Sequence, residues 1–429
     1  MVRELKHTEI GDIPVDWELQ TFDETFRVIS NNTLSRENLN NRGGAVRNIH
    51  YGDILTKFPE VLDCNEEEIP YVNELSLLSS STQLLQDGDI VVADTAEDET
   101  VGKVIEVQNL GDSKLVAGLH TIPCRVKKGE FAPGWLGYYM NSDLFHNQIL
   151  PYITGIKVSS ISKGAISETL ILVPPFDEQE KIVQSLNKIQ LLMTTETKVV
   201  NKIKLVKNGC LSKMFPQKDD TVPEMRLPGF NEAWEQHKFG DDNDLITGYP
   251  FESDKFSEEG IKLVRGMNVK RGYLDFSDDI CMRWNSTDGL ENYLLEADDI
   301  LIQMDGALIG KSYAKIAEEQ LPALLVQRVT RARTRSKDAC TDFMYQAIQR
   351  DFLRYIGINK TETAVPHLSL NDIYNFKIMV PCLEEQQQIG AYFSNIDNLI
   401  TLHQCKCDKY SNIKKGMMSD LLTGKIRLV

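Results

Sequence analysis

The stretch Val173–Phe215, VPPFDEQEKIVQSLNKIQLLMTTETKVVNKIKLVKNGCLSKMF, aligns without a gap on Val380–Leu422, VPCLEEQQQIGAYFSNIDNLITLHQCKCDKYSNIKKGMMSDLL, at a constant offset of 207 residues. An internal repeat of this length has to be read before any single motif, because it organises the rest of the chain. Within the first copy, apolar residues recur at spacings of mostly three and four: Ile182, Leu186, Ile189, Leu192, Val199, Ile203, Val206, Cys210 and Met214. Ile389, Phe393, Ile396, Leu399, Tyr410, Ile413, Met417 and Leu421 answer them in the second. That period predicts two amphipathic helices of about 40 residues, each ~60 Å long at 1.5 Å per residue.

Each helix start carries a proline, Pro174 or Pro381, followed by Asp177 with Glu180 or Glu384 with Gln387, spaced like a capping box. A stripe this long outruns one small domain, and the simplest partner for each stripe is the other, in a coiled coil. The alternative is two separate helices, each packed on its own domain. Glu196 and His403 occupy equivalent stripe positions near the two helix midpoints. In an antiparallel pair those midpoints lie side by side, so the two residues are candidates for a polar inter-helix contact that fixes register.

Outward from the helices the repeat persists. VSSISKGAISETLILVP from Val158 lies on VPHLSLNDIYNFKIMVP from Val365 at the same offset. Farther upstream the spacing drifts by a few residues: LQDGDIVVAD from Leu85 answers LEADDILIQMD from Leu295, and Val101-Gly102-Lys103 answers Ile309-Gly310-Lys311. Each half opens with a tryptophan-acid pair, Trp17-Glu18 and Trp234-Glu235. Alternating apolar runs bounded by glycine and acidic turns, mixed with short helical patches, predict a mixed α/β domain in each half. The organisation expected is a first domain over 1–173, a first helix over 174–215, a proline- and charge-rich linker over 216–229, a second domain over 230–380, and a second helix with its tail over 381–429.

Composition bounds the function classes. Of 429 residues, 41% are hydrophobic and 26% charged, which is globular, and no apolar run reaches the roughly 18 to 20 residues that span a bilayer. The start, MVRELKHTEIGDIP, lacks the apolar stretch of a secretory signal, so a cytoplasmic location is expected, with no membrane partner. Eight cysteines fall without a CxxC pair, and seven histidines are dispersed, so neither a metal site nor a cofactor is expected. Forty-seven basic against 63 acidic residues give a net charge of -16, so any nucleic-acid contact must use local basic patches.

The opening TEIGDIPVDWE, the central PEMRLPGFNEAWE, the paired helix starts PPFDEQ and PCLEEQ, and the closing IKKGMMSDLLTGKIRLV resemble the type I restriction-modification specificity (S) subunit over essentially the whole chain. The family usually has leucine where this chain has Phe176, and two prolines where it has Pro381-Cys382; neither departure alters helix initiation. The resemblance implies an α+β architecture of two mixed α/β target-recognition domains in pseudo-two-fold tandem repeat, separated by two long antiparallel coiled-coil helices. It also implies a noncatalytic subunit whose partners are double-stranded DNA with a bipartite target, two methyltransferase (M) subunits docked on the helices, and motor-nuclease (R) subunits joined through them. Glu178, Gln179, Ile182 and Leu186, with Glu385, Gln386, Ile389 and Phe393, are the corresponding partner-binding candidates.

Candidate DNA contacts are basic residues near turns of the variable regions: Arg42, Arg47, Lys157, Lys163, Arg265, Lys270, Arg271, and the run Arg328, Arg331, Arg333 with Arg335. Arginine can bridge guanine O6 and N7, while lysine more often neutralises phosphate. The segment Thr154–Gly164, TGIKVSSISKG, joins two of these lysines to hydroxyls. Gly306–Ser312, GALIGKS, is one residue short of a phosphate-binding loop, and its counterpart at Gly102-Lys103 favours a recurring structural turn. Val173-Pro174-Pro175-Phe176 lacks the Asn or Asp that amino-methyltransferases place before the prolines. No catalytic residue is therefore assigned. The reading from another class is a two-domain protein-binding scaffold without DNA contact, favoured by the acidic net charge.

Overall fold

Both expected helices form, over Phe176–Met214 and Leu383–Leu421, each of 39 residues. Their starts differ from the expected capping box. Phe176 and Leu383 are already helical, so Asp177 and Glu384 sit inside the first turn, where the helix dipole favours carboxylates. The terminal backbone is tied instead by a glutamine: Gln179 Nε2 donates to the Pro174 carbonyl and Gln386 Nε2 to that of Pro381, at 2.8 and 2.9 Å. The proline preceding each helix positions a carbonyl that a glutamine five residues on can reach.

In the computed structural model the described residues are 4–155, 157–217, 220–306, 309–335, 337, 339–359 and 367–428. They form two compact units, Met1–Glu196 with Lys406–Val429, and Thr197–Cys405. This division differs from the linear one expected from sequence, because each unit takes one half of each long helix.

In the first unit a five-stranded sheet has the order Phe26–Val28, Thr121–Val126, Ile90–Ala93, Val104–Gln108, Val61–Asp63, with only the last pair parallel. The second unit repeats four of these positions as Asn243–Thr247, Val329–Thr334, Ile300–Gln303 and Tyr313–Lys315, all antiparallel. A smaller sheet recurs as well, built on the parallel pair Arg47–Ile49 with Leu115–Ala117, or Ile261–Val264 with Ala323–Leu325. In each unit the strand after the tryptophan pairs with the strand that leads into the helix: Glu18–Thr21 with Leu170–Val173, and Glu235–Lys238 with Lys377–Val380.

The core of the first unit joins Trp17, Trp135 and Tyr139 to Ile182 and Leu186 of the first helix and to Leu421 of the second. The second unit joins Trp234, Phe343 and Phe352 to Leu211 and Met214 of the first helix and to Ile389 and Phe393 of the second. Thus the apolar stripe is buried at both helix ends, while Leu192, Val206, Leu399 and Ile413 of the stripe are exposed. Within each unit the helix halves run antiparallel. Gln190 meets Lys414 and Glu196 approaches Lys406 in the first; Cys210 meets Tyr392 and Lys207 meets Asp397 in the second.

Candidate nucleic-acid interface

The helix-start residues expected to meet partners point inward. Glu178, Gln179, Ile182, Leu186, Glu385, Gln386, Ile389 and Phe393 are all buried in their own units. Gln179 and Gln386 also accept from the backbone N–H of Ala132 and Cys340, both at 3.0 Å. The Glu178 carboxylate accepts from Trp17 Nε1 at 2.9 Å and from Arg427 Nε and Nη2, both at 2.7 Å. Glu385 takes Nε and Nη2 of Arg226, at 2.8 and 2.7 Å. The two arginines lie in the matching tripeptides Met225-Arg226-Leu227 and Ile426-Arg427-Leu428, so each unit closes on the same bidentate clasp. Hydrogen bonds donated to Glu178 and Asp16 push the Arg427 guanidinium pKa up, and those donated to Glu385 do the same for Arg226.

A second repeated device is a buried lysine on each helix. Lys207 donates to Asp397 at 2.6 Å and Gln349 at 2.7 Å. Lys414, 207 residues later in the sequence, donates to Glu60 at 2.5 Å and Gln190 at 2.7 Å. Burial lowers the Lys207 ammonium pKa despite Asp397. Neither lysine was singled out from the sequence, where a charge beside an apolar stripe reads as solvated; the matching lysine at the repeat offset was the available signal.

The basic candidates separate into two groups. Arg42, Lys157, Lys163, Arg271 and Arg328 are exposed, and Lys270 is half-buried. Lys163 opens a short helix capped by Ser162, next to Ser159–Ser160, which pairs with Thr95–Ala96. Ile156 of that segment lies outside the described residues.

The other candidates are committed to the fold. Arg47 is 9% exposed and donates to the Cys64 carbonyl. Arg265 donates to the Ile280 carbonyl and stacks over Phe256, and burial lowers its pKa. Arg331, 5% exposed, is ion-paired with Asp244. Arg333 grips Asp299 through Nε and Nη2 at 2.7 and 2.8 Å and Glu296 through Nη1 at 2.5 Å. Its counterpart Arg125 grips Asp89 at 2.8 and 2.6 Å. A pair repeated in both units braces neighbouring strands and leaves the guanidinium little freedom to read a base. Arg335 is exposed and donates to the Asp241 carbonyl.

The loop-like GALIGKS segment includes Ala307 and Leu308, which lie outside the described residues, but its glycine is placed. Gly310 and its counterpart Gly102 have φ of 73° and 88°. A Cβ there would meet Ile356 Cδ1 at 2.6 Å or Ile149 Cδ1 at 2.2 Å. Each glycine therefore permits a left-handed turn packed against a helix, a structural need that both units share.

Among the described residues no group of His, Cys, Asp and Glu could hold a metal ion, and no helix is long and apolar enough to cross a membrane.

Comparison with known proteins gives one consistent result. Residues 14–205 and 231–409 each match the family described as Type I restriction modification DNA specificity domain. The chain is similar to the putative type I restriction enzyme MjaX specificity subunit of Methanocaldococcus jannaschii, at 24% identity over 433 residues, covering 99% of this chain and 96% of that one. It is 29% identical over 222 residues to the EcoAI specificity subunit of Escherichia coli, covering 50% of this chain and 35% of that one. In fold it resembles the crystal structure of the type I restriction-modification system S subunit from M. genitalium, with TM-score 0.59 at 14% identity, covering 98% and 99% of the two chains.

Proposed function

The chain belongs to the Type I restriction modification DNA specificity family, and from that premise we propose that each of its two units reads one half of a bipartite double-stranded DNA target. The observation that carries this reading is a shared scaffold with different exposed loops. The clasp, the buried lysine, the glycine turn and the strand-bracing arginine recur in both units, whereas the exposed basic residues do not. Arg42, Lys157 and Lys163 serve the first unit, and Lys270, Arg271 and Arg328 the second. Such patches supply the phosphate contacts that position a protein on DNA, and arginine adds base readout.

The two long helices, shared between the units, set the spacer between the half-sites and carry the methyltransferase subunits, through which the motor-nuclease subunits join. Because the helix-start residues are buried, the docking surface falls on apolar side chains that stay exposed, such as Leu191, Leu205 and Leu402 at 66%, 72% and 52%. The protein works in the cytoplasm, and S-adenosylmethionine is bound by its methyltransferase partners. The test is reconstitution. Purified chain with labelled S-adenosylmethionine transfers no methyl group to DNA, and transfer to a bipartite site starts when the methyltransferase subunits are added. Transfer by the chain alone contradicts the proposal.

A further inference from the structure

Four non-glycine residues among those described have positive φ: Asn109, His120, Asp298 and Arg328, at 57°, 55°, 69° and 70°. Asparagine and aspartate enter the left-handed region readily; arginine is not among the types that favour it. His120 and Arg328 are also equivalent. Each immediately precedes the strand that stands second in its sheet's order, Thr121–Val126 or Val329–Thr334. The His120 carbonyl accepts from Asp94 N–H at 3.1 Å, and the Arg328 carbonyl from Met304 N–H at 2.9 Å. The same turn thus holds an exposed, nitrogen-bearing side chain in the left-handed backbone region in both units, a region histidine tolerates and arginine rarely enters.

Both side chains are oriented by an acid beside them. Arg328 Nη1 lies 2.7 Å from Asp305, with the arginine side chain 68% exposed. The backbone of Asp305 forms an isolated antiparallel β-bridge with that of His367, which stands where the first unit has Ser160. In the first unit, Thr95 Oγ1 donates to Asp94 Oδ1 at 2.8 Å and lies 3.2 Å from His120 Nδ1. Since the hydroxyl proton is committed to Asp94, Thr95 accepts from the imidazole, which puts a proton on Nδ1, also 3.4 Å from Asp94 Oδ1; in the neutral ring Nε2 is then the acceptor. The ring of Tyr51 packs edge-on at 5.3 Å and holds the imidazole in place. Thr95 also pairs with Ser160, so this turn adjoins the segment carrying Lys157 and Lys163.

We propose that His120 and Arg328 are corresponding base-reading residues of the two units, with opposite hydrogen-bonding polarity. This rests on the reading that each unit recognises one half-site. Arg328 presents N–H donors and selects a base with major-groove acceptors, guanine first. His120 presents an acceptor and selects a base with an exocyclic amine, adenine or cytosine.

The experiment uses the full chain in complex with its methyltransferase subunits and maps methylated sites across a genome. His120→Gly and Arg328→Gly remove the side chain while suiting the left-handed turn, so the fold is kept; Arg328→Lys keeps charge without the bidentate fork. His120→Gly relaxes one adenine or cytosine position in one half-site, and both Arg328 variants relax one guanine position in the other, each by about tenfold or more in discrimination. The inference is overturned if the glycine variants keep the parental motif at every position, if either alters both halves, or if methylation falls uniformly at all sites. An exchange of one whole unit that redirects one half-site, alongside glycine variants that change nothing, refutes these two residues and leaves the bipartite reading standing.

Discussion

Arg427 holds Glu178 through two hydrogen bonds of 2.7 Å while the glutamate side chain is 1% exposed. The same acid accepts from Trp17 Nε1, so the tripeptide Ile426-Arg427-Leu428, the first turn of the first helix and the start of the first domain meet on one buried carboxylate. Removing one partner of such a pair strands a buried charge, which costs far more than the pair itself contributes. Arg427→Ala is expected to destabilise the first unit by about 3–5 kcal/mol, and Arg427→Met with Glu178→Gln by much less. Chemical unfolding followed by tryptophan fluorescence checks both; equal losses for the single and double variants contradict the account.

Lys207 makes a prediction about pH. Burial lowers its pKa in the folded protein, so between that value and the ordinary lysine value the unfolded chain binds more protons. Stability contributed through this group therefore rises as pH increases across that window, and is lowest below it. Lys207→Met removes the proton linkage and leaves a side chain of similar length. Plotting unfolding free energy against alkaline pH, the wild-type curve gains on that of Lys207→Met; parallel curves show that Lys207 is not proton-linked to folding.

The division of the basic residues predicts two phenotypes. Alanine at Arg42, Lys157, Lys163 or Arg271 weakens DNA binding by the assembled complex about equally on all sequences, and lowers the slope of log affinity against log salt by about 0.9 per lost phosphate contact. Alanine at Arg47 or Arg331 instead lowers the melting temperature, because each side chain is buried. A changed salt slope for Arg47→Ala, with the melting temperature kept, reverses the assignment.

Glu196 lies 3.7 Å from Lys406 within the first unit. The pair Glu196–Lys406 joins the two helix halves of the first unit, and a double-mutant cycle on it is expected to give a coupling of about 0.5 kcal/mol. Additive losses contradict a role for this pair in holding the halves in register.

Much of the fold was legible because both helices repeat an apolar period over 39 residues, and an offset maintained without a gap exposes the architecture even where single residues are ambiguous. What periodicity hides is the neighbour across the chain. Glu178 and Lys207 read as surface charges along the helix, yet each is buried against a residue remote in sequence: Arg427 in one case, Gln349 and Asp397 in the other. Asp177 looked like a cap because its side chain suits one, but the helix already begins at Phe176, and Gln179 ties its first turn to the Pro174 carbonyl. For the basic residues, sequence placed them near turns without showing their acids. Arg333 resembled a DNA contact until Asp299 and Glu296 came into view. His120 was legible only as one of seven scattered histidines.

The most direct test of the central claim, that each unit reads its own half of the target, is a methylome of cells carrying a chimaera. Residues 20 to 160 are replaced by the corresponding region of a relative with a different target, in the presence of the same methyltransferase subunits. The account predicts that one half of the methylated motif changes to that of the relative while the other half and the spacer length stay as they were. A motif altered in both halves, or unaltered in either, contradicts it.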